Sequence, residues 1–424
     1  MDTTTVFFQH QLESGVQVIG QPMGGVESAA LGFLVGTGAR DEPNAQAGIT
    51  HFVEQMLFRG TQRRDARALV DALESLGVNY DASAGLEMTL VSGVQLGDRL
   101  LAALDILAEV VREPAFPPED IDSVRQLILQ EHRQREDRPA QMVMDRLRQE
   151  FFAGSPLSHD VLGTEESVSA LTRDDLFRYW EARFTANNIV VSVTGNFDWD
   201  AVIERLNTLS AAWPTGAGRS TPPAPEPQSG VHVQTREATQ ENVGFAFSGV
   251  PSSDPRYYSL ACAIQALGGG SNSRLFREVR EKRGLAYAVS ARYDALEKTG
   301  LVRVYCGTSA DRAHESVEVI QEELRKLEDD GITDDELRLA KTRLKSQVIM
   351  RSESTSARMV ANLRSWWFEN RLRTLQEISD EIDRVTVERI RDIVQAVGVT
   401  RTLTAVAIGP RTEEELFGRA VAWR

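Results

Sequence analysis

Two short stretches of this sequence carry residue types that could do chemistry. Residues 51–55 read HFVEQ. On a helix, positions four apart share a face, so His51 and Gln55 point the same way, with Glu54 beside them. An imidazole and a carboxylate so placed can hold a divalent cation and take a proton from its bound water. They can equally form a buried polar remnant, bonded to each other or to Gln55. The second stretch, SRLFREVREKRGLAYAVSA, carries Arg280 and Tyr287 across a helix end and the strand that follows. A guanidinium and a phenol are donors suited to carbonyl oxygens and developing oxyanions. Their plain reading is a helix-surface arginine and a strand tyrosine. An H-x-x-E tetrad arises by chance, so the surroundings must decide.

Those surroundings form two halves with one plan. In the first, VQVIGQP and ESAALGFLVGTGA read as strands, and helices are expected over Ala47–Phe58 and Ala66–Leu76, the latter ending at Gly77. NYDASAGLEMTLVSGVQ alternates like strands, Leu100–Val111 and Glu119–Asp137 read as helices, and NIVVSVTGNF closes the half as a buried strand. The second half repeats the order. ENVGFAFSGVP begins it, a helix runs over Tyr257–Leu267 to Gly268, and SRLFREVREKRG is a helix stopped at Gly284. LAYAVSARYD and GLVRVYCGTS read as strands and Ala313–Leu327 as a helix. A long helix opened by a Thr333/Glu336 capping box comes next, and TLTAVAIGP closes the half. Between the halves, Pro214–Gly230 is rich in Pro, Gly and Ser, as a linker should be. The expected fold is α+β: tandem homologous α/β-sandwich domains over 1–213 and 231–424, joined by the 214–230 linker. Each would be a mostly antiparallel sheet packed with helices.

At 424 residues, 42% hydrophobic and 26% charged, the chain suits two globular domains. Its net charge of −15 argues against non-specific binding to nucleic acid or an anionic membrane. Cys262 and Cys306 are the only cysteines and read as buried thiols, which excludes a disulfide framework. The start, MDTTTVFFQHQLESG, has no basic leader followed by an apolar run, and no stretch is long and apolar enough to span a bilayer. A cytoplasmic protein is expected.

The stretch GTGARDEPNAQAGITHFVEQMLFRGT resembles, almost end to end, the insulinase, pitrilysin and mitochondrial processing peptidase family of inverted-motif zinc peptidases. The resemblance continues through both halves, to the linker and the Arg280/Tyr287 stretch. It implies a clam-shell pair of domains and peptide hydrolysis. The H-x-x-E-H face of such peptidases holds two histidines on zinc, with the glutamate as general base. By resemblance His51 and Glu131, the latter in LILQEHRQ, are metal-ligand positions and Glu54 the general-base position. Tyr287 would steady the tetrahedral intermediate, and Arg280 would hold the substrate backbone. NYDASAGLEMTLVS resembles the family's edge strand, so Asn79, Ala82 and Ser83 are expected to take the substrate as an added strand.

Two departures fall where the chemistry should be. Gln55 stands where the family carries its second histidine, and a neutral amide is a poor zinc ligand beside imidazole. Val124 stands where active members carry a glutamate that supports the metal site two turns before Glu131. His132 points about 100° away from Glu131 on a helix, and His10, His159, His232 and His314 have no spacing that suggests ligation. GGGSNS lacks the phosphate-loop pattern, and Trp366 and Trp367 read as packing. The expectation is a non-catalytic or weakly active subunit, with zinc absent or weakly bound. It would pair with an intact zinc-bearing homologue, as a heterodimer, or form a homodimer. The chamber so formed would bind peptide or unfolded polypeptide. The alternatives are an active zinc endopeptidase using His51, Glu131 and Gln55 or water, and a structural or chaperone-like subunit.

Overall fold

The computed structural model describes residues 6–219 and 223–418. Residues 220–222 of the expected linker, and the first five residues of the leader reading, lie outside the described residues. The chain forms two compact α+β units, each with its own sheet. The first contains β1 (Phe8–Gln11), β2 (Gln17–Pro22), β3 (Ser28–Val35), β4 (Asn79–Ala84), β5 (Thr89–Leu96) and β6 (Ile189–Gly195), in the order β1-β2-β6-β3-β5-β4. The second contains β7 (Gly230–Thr235), β8 (Gln240–Gly249), β9 (Ala286–Ala295), β10 (Gly300–Ser309) and β11 (Thr404–Gly409), in the order β7-β11-β8-β10-β9. With β1 set aside the orders coincide. In both, the first and last strands of the set pair parallel and every other neighbour pairs antiparallel. The duplication read from the sequence is therefore a duplication of topology.

Helix α1 (Ile49–Leu57) follows Gly48, whose φ of 89° starts the turn. Ile49, Phe52, Val53 and Met56 recur at helical spacing and are fully buried in the first core. That stripe fixes the rotation of α1 and so the direction of His51, Glu54 and Gln55. The helices α2 (Ala66–Ser75) and α3 (Leu100–Arg112) pack on the same core. Pro118 opens α4 (Pro118–Glu136), with Glu119 and Asp120 in its first turn. Ile121, Val124 and Ile128 form its buried stripe, and Glu131 is the next position on that face.

Two helices cross the boundary read at residues 213 and 231. Helix α5 (Pro139–Phe151) belongs to the second unit, and helix Thr355–Glu369 to the first. A glycine within β8 and one just after β3 admit them. A Cβ on Gly244 would lie 2.8 Å from Val143 Cγ1, and one on Gly36 would lie 2.1 Å from Trp367 Cη2. Met359, Leu363 and Trp367 are almost fully buried on the first sheet. Each such side chain is worth roughly 1.5–3 kcal/mol of burial, so the exchanged helix is part of the core. The linker is also docked. Asn187 and Gly216 exchange two 2.9 Å hydrogen bonds, and Arg219 stacks on Trp367 and donates to its carbonyl. On the other side the Gln228 N–H donates to Phe151 O at 2.8 Å.

SRLFREVREKRG is a helix, as read, but Phe276–Glu281 winds as a π-helix rather than an α-helix before Gly284, at φ 62°. Such turns concentrate at functional positions. Thr333 and Glu336 form the expected reciprocal cap. Cys262 and Cys306 are buried and unbridged, and burial pushes both thiols up to about 12. Among the described residues, no helix is long and apolar enough to cross a membrane.

Candidate functional site

The start of α1 is fixed by groups the sequence reading did not single out. Glu42 is buried, and its carboxylate accepts from the Gly48 N–H at 2.7 Å and the Thr50 N–H at 2.9 Å, covering two free donors of the first turn. Burial is the dominant influence on this acid and raises its pKa to about 7, against the lowering effect of the hydrogen bonds. The buried Tyr179 hydroxyl joins the Thr37 and Thr50 hydroxyls at 2.7 Å each. The only signal for Glu42 in the sequence is an acid shortly before a helix start.

His51, Glu54, Gln55 and Glu131 come together as expected. His51 Nδ1 lies 2.9 Å from Glu54 Oε2, and its Nε2 lies 2.9 Å from Glu131 Oε2. His51 and Glu54 are buried, while the Glu131 side chain is 35% exposed. Burial works against a charged imidazole here. Hydrogen bonds to Glu131 and then Glu54 outweigh it and push His51 up to about 9. The ring is thus held between two carboxylates. Gln55 reaches Glu54 only at 3.4–3.5 Å, a weak contact.

This donor set does not fit a catalytic zinc ion. Of the two carboxylates on the ring only Glu131 stands at a ligand position, which leaves His51 and Glu131 as the strong ligands at this site. Tetrahedral zinc with bonds of 2.0–2.2 Å separates its ligand atoms by about 3.4 Å, whereas Nε2 and the Glu131 oxygen are in hydrogen-bond contact at 2.9 Å. Gln55 adds a neutral amide where a third strong ligand is needed. Among the described residues, no group of three or more His, Cys, Asp or Glu is arranged to hold a metal ion. Val124 is fully buried in the apolar core, so no carboxylate supports the site from that position. The other histidines are engaged elsewhere or exposed. His132 Nε2 is 3.0 Å from Leu162 O, and His159 lies against Ala39 O and Asn44. His314 lies against Leu416 O, His232 faces Glu150, and His10 is exposed on β1.

Asn79, Ala82 and Ser83 lie on β4, the last strand of its sheet. Asn79 and Ser83 are exposed, while Ala82 alternates inward onto the core. Only the backbone of Ala82 can therefore serve an added strand. Trp366 and Trp367 are packing residues, as read.

In the second unit, Arg280 is exposed in the π-helical turn, its guanidinium 5.0 Å above the Phe276 ring. Its basic neighbours Lys282 and Arg283 pair with Glu278, whereas Arg280 has no carboxylate partner among the described residues. Tyr287 is 46% exposed near the start of β9, and its hydroxyl donates to Gln240 Oε1 at 2.8 Å. Both side chains are exposed to solvent, with the Tyr287 O–H engaged by Gln240. The Gln240 contact was not legible, because that residue is distant in sequence.

Comparison with known proteins agrees with this anatomy. The family described as Insulinase (Peptidase family M16) matches residues 23–165, and the one described as Peptidase M16 inactive domain matches residues 170–344. The uncharacterized zinc protease YmxG of Bacillus subtilis is 30% identical over 387 residues, which is 91% of this chain and 94% of that protein. An uncharacterized zinc protease of Mycobacterium leprae is 30% identical over 413 residues, 96% of this chain and 93% of that protein. In fold, the chain is similar to the crystal structure of a peptidase M16 inactive domain from Pseudomonas fluorescens (TM-score 0.88, 23% identity, 96% of this chain and 98% of that one). It is also similar to a protease from Helicobacter pylori (TM-score 0.87, 19% identity, 96% and 100%). The chain belongs to the insulinase family of peptidases, as a homologue of zinc proteases.

Proposed function

We propose that this chain is a non-catalytic subunit of a peptidase. It pairs with a homologue that carries the intact H-x-x-E-H motif and supplies substrate-binding donors to that partner's reaction. One observation carries the reading: both nitrogens of His51 are taken by carboxylates, and the position that should complete a metal site is Gln55. The substrate machinery has not decayed in parallel. β4 ends its sheet and offers a backbone edge to an extended peptide. Arg280 keeps a free guanidinium for substrate carbonyls, and Tyr287 a phenol for the oxygen that gains charge as the carbonyl is attacked. A zinc ion held by the partner would supply the activated water, while β4, Arg280 and Tyr287 of this chain bind and orient the peptide.

The test is reconstitution with an intact homologue. Peptide cleavage should rise to a plateau as this chain approaches equimolar. Tyr287→Phe in this chain should lower kcat of the mixture about 100-fold, the cost of one oxyanion donor. Arg280→Ala should act mainly through KM. A mixture no faster than the homologue alone would refute the proposal. Rates indifferent to Arg280 and Tyr287 would leave a purely structural subunit.

A further inference from the structure

The surroundings of Tyr287 are shaped around its side chain. Along β9 and β10, Gly307 pairs with Ala288 and Thr308 pairs with Ala286, so Tyr287 is an extra residue without a partner on β10. A bulge of this kind re-aims the extra side chain. Here it brings the phenol over Gly307. A Cβ at that glycine would lie 2.6 Å from Tyr287 Oη and 2.7 Å from both Tyr287 Cζ and Tyr305 Oη. Gly307 is buried and is not among the glycines with positive φ, so its backbone does not require glycine. What is required is the space.

Two β8 amides complete the arrangement. Tyr287 donates to Gln240 Oε1 at 2.8 Å, and Tyr305 donates to Asn242 Oδ1 at 2.7 Å. Asn242 pairs with Gly307, and Gln240 pairs with Ser309, two residues along β10. Alternation therefore places Gln240, Asn242, Tyr305 and Gly307 on one face of the sheet. A tyrosine merely covering its strand would need neither a bulge nor a missing Cβ beneath its hydroxyl.

We infer that Gly307 and Tyr305 are positioning residues for Tyr287. The absent side chain at 307 is the seat of the phenol, and Tyr305 and Gln240 restrict where its hydroxyl can lie. This rests on the reading of Tyr287 as a donor to the peptide carbonyl. Neither Gly307 nor Tyr305 touches substrate. The three atoms nearest a Cβ at 307 are the tips of two tyrosines, one of them exposed, so Gly307→Ala should displace Tyr287 while leaving the fold intact.

The experiment labels the full chain with 3-fluorotyrosine and assigns the Tyr287 fluorine line by its loss in Tyr287→Phe. Gly307→Ala should shift that line by more than its width with the thermal midpoint nearly unchanged. Should Gly307→Ala fold poorly, Tyr305→Phe removes one hydroxyl only and should move the same line. In the reconstituted mixture, Gly307→Ala should lower kcat about as far as Tyr287→Phe at similar KM, and the double variant should lose no more than either single one. An unmoved Tyr287 line in both variants, or losses that multiply in the double, would overturn the inference. Unchanged kcat in Tyr287→Phe would instead sink the donor reading, and the fluorine line alone would then decide whether Gly307 seats the phenol.

Discussion

Replacing Glu42 with glutamine tests how the helix bearing His51 and Glu54 is anchored. Glu42 is buried, and its pKa is raised from 4.5 to about 7. An acid whose folded pKa lies above its unfolded value binds its proton more tightly in the folded state. Its favourable contribution is therefore complete below pH 4.5 and is lost as pH rises through 7. The 2.5-unit difference between the two pKa values corresponds to about 3 kcal/mol at 1.36 kcal/mol per unit. Glu42→Gln cannot titrate, and it sets an NH2 donor in place of one of the two oxygens that accept from the Gly48 and Thr50 N–H groups. Wild type should therefore exceed the variant in stability by most at pH 4.5, and the margin should shrink by about 3 kcal/mol by pH 8. The assay is urea unfolding of both proteins at matched pH. The difference cancels groups common to both, such as Glu241, which burial also raises to about 7. A margin independent of pH would refute the reasoning. A margin that grows with pH would show that the two N–H bonds outweigh burial and hold the carboxylate ionised.

Further outcomes follow from the same geometry. Gln55→His supplies a third strong ligand and should raise zinc content per chain, though with affinity about 10–100-fold below an intact site because Val124 gives no support; competition with a chelator measures both. Gly36→Ala sets a Cβ 2.1 Å from Trp367 Cη2 and 2.4 Å from Asn188 Oδ1, and should cost about 1–3 kcal/mol, read as a lower urea midpoint. A peptide N-methylated on the phase facing β4 should bind the chain about tenfold more weakly than one methylated on the opposite phase, since strand addition depends on main-chain hydrogen bonds.

Local pattern carried most of the fold. The helix expected over Ala47–Phe58, the closing strands β6 and β11, and the Thr333/Glu336 cap all read correctly, because each is encoded within a few residues. The exchange of helices α5 and Thr355–Glu369 did not. An amphipathic helix shows that it has a core face but not which sheet it will cover, and the glycines that admit it, Gly244 and Gly36, lie far away in sequence. The site divides in the same way. His51, Glu54, Gln55 and Glu131 were named from spacing and resemblance, and they meet. The inward turn of Ala82 follows from strand alternation along β4. Glu42, Gln240 and Gly307 act through contacts that no period in the sequence records.

The central claim is that this chain holds no catalytic metal of its own. The most direct measurement is elemental analysis of the purified full chain after equilibration with micromolar zinc, with peptide cleavage assayed on the same sample. The arrangement of His51 between two carboxylates beside Gln55 predicts well under one zinc per chain and no cleavage until an intact homologue is added. One tightly held zinc per chain, with cleavage by the chain alone, would contradict it.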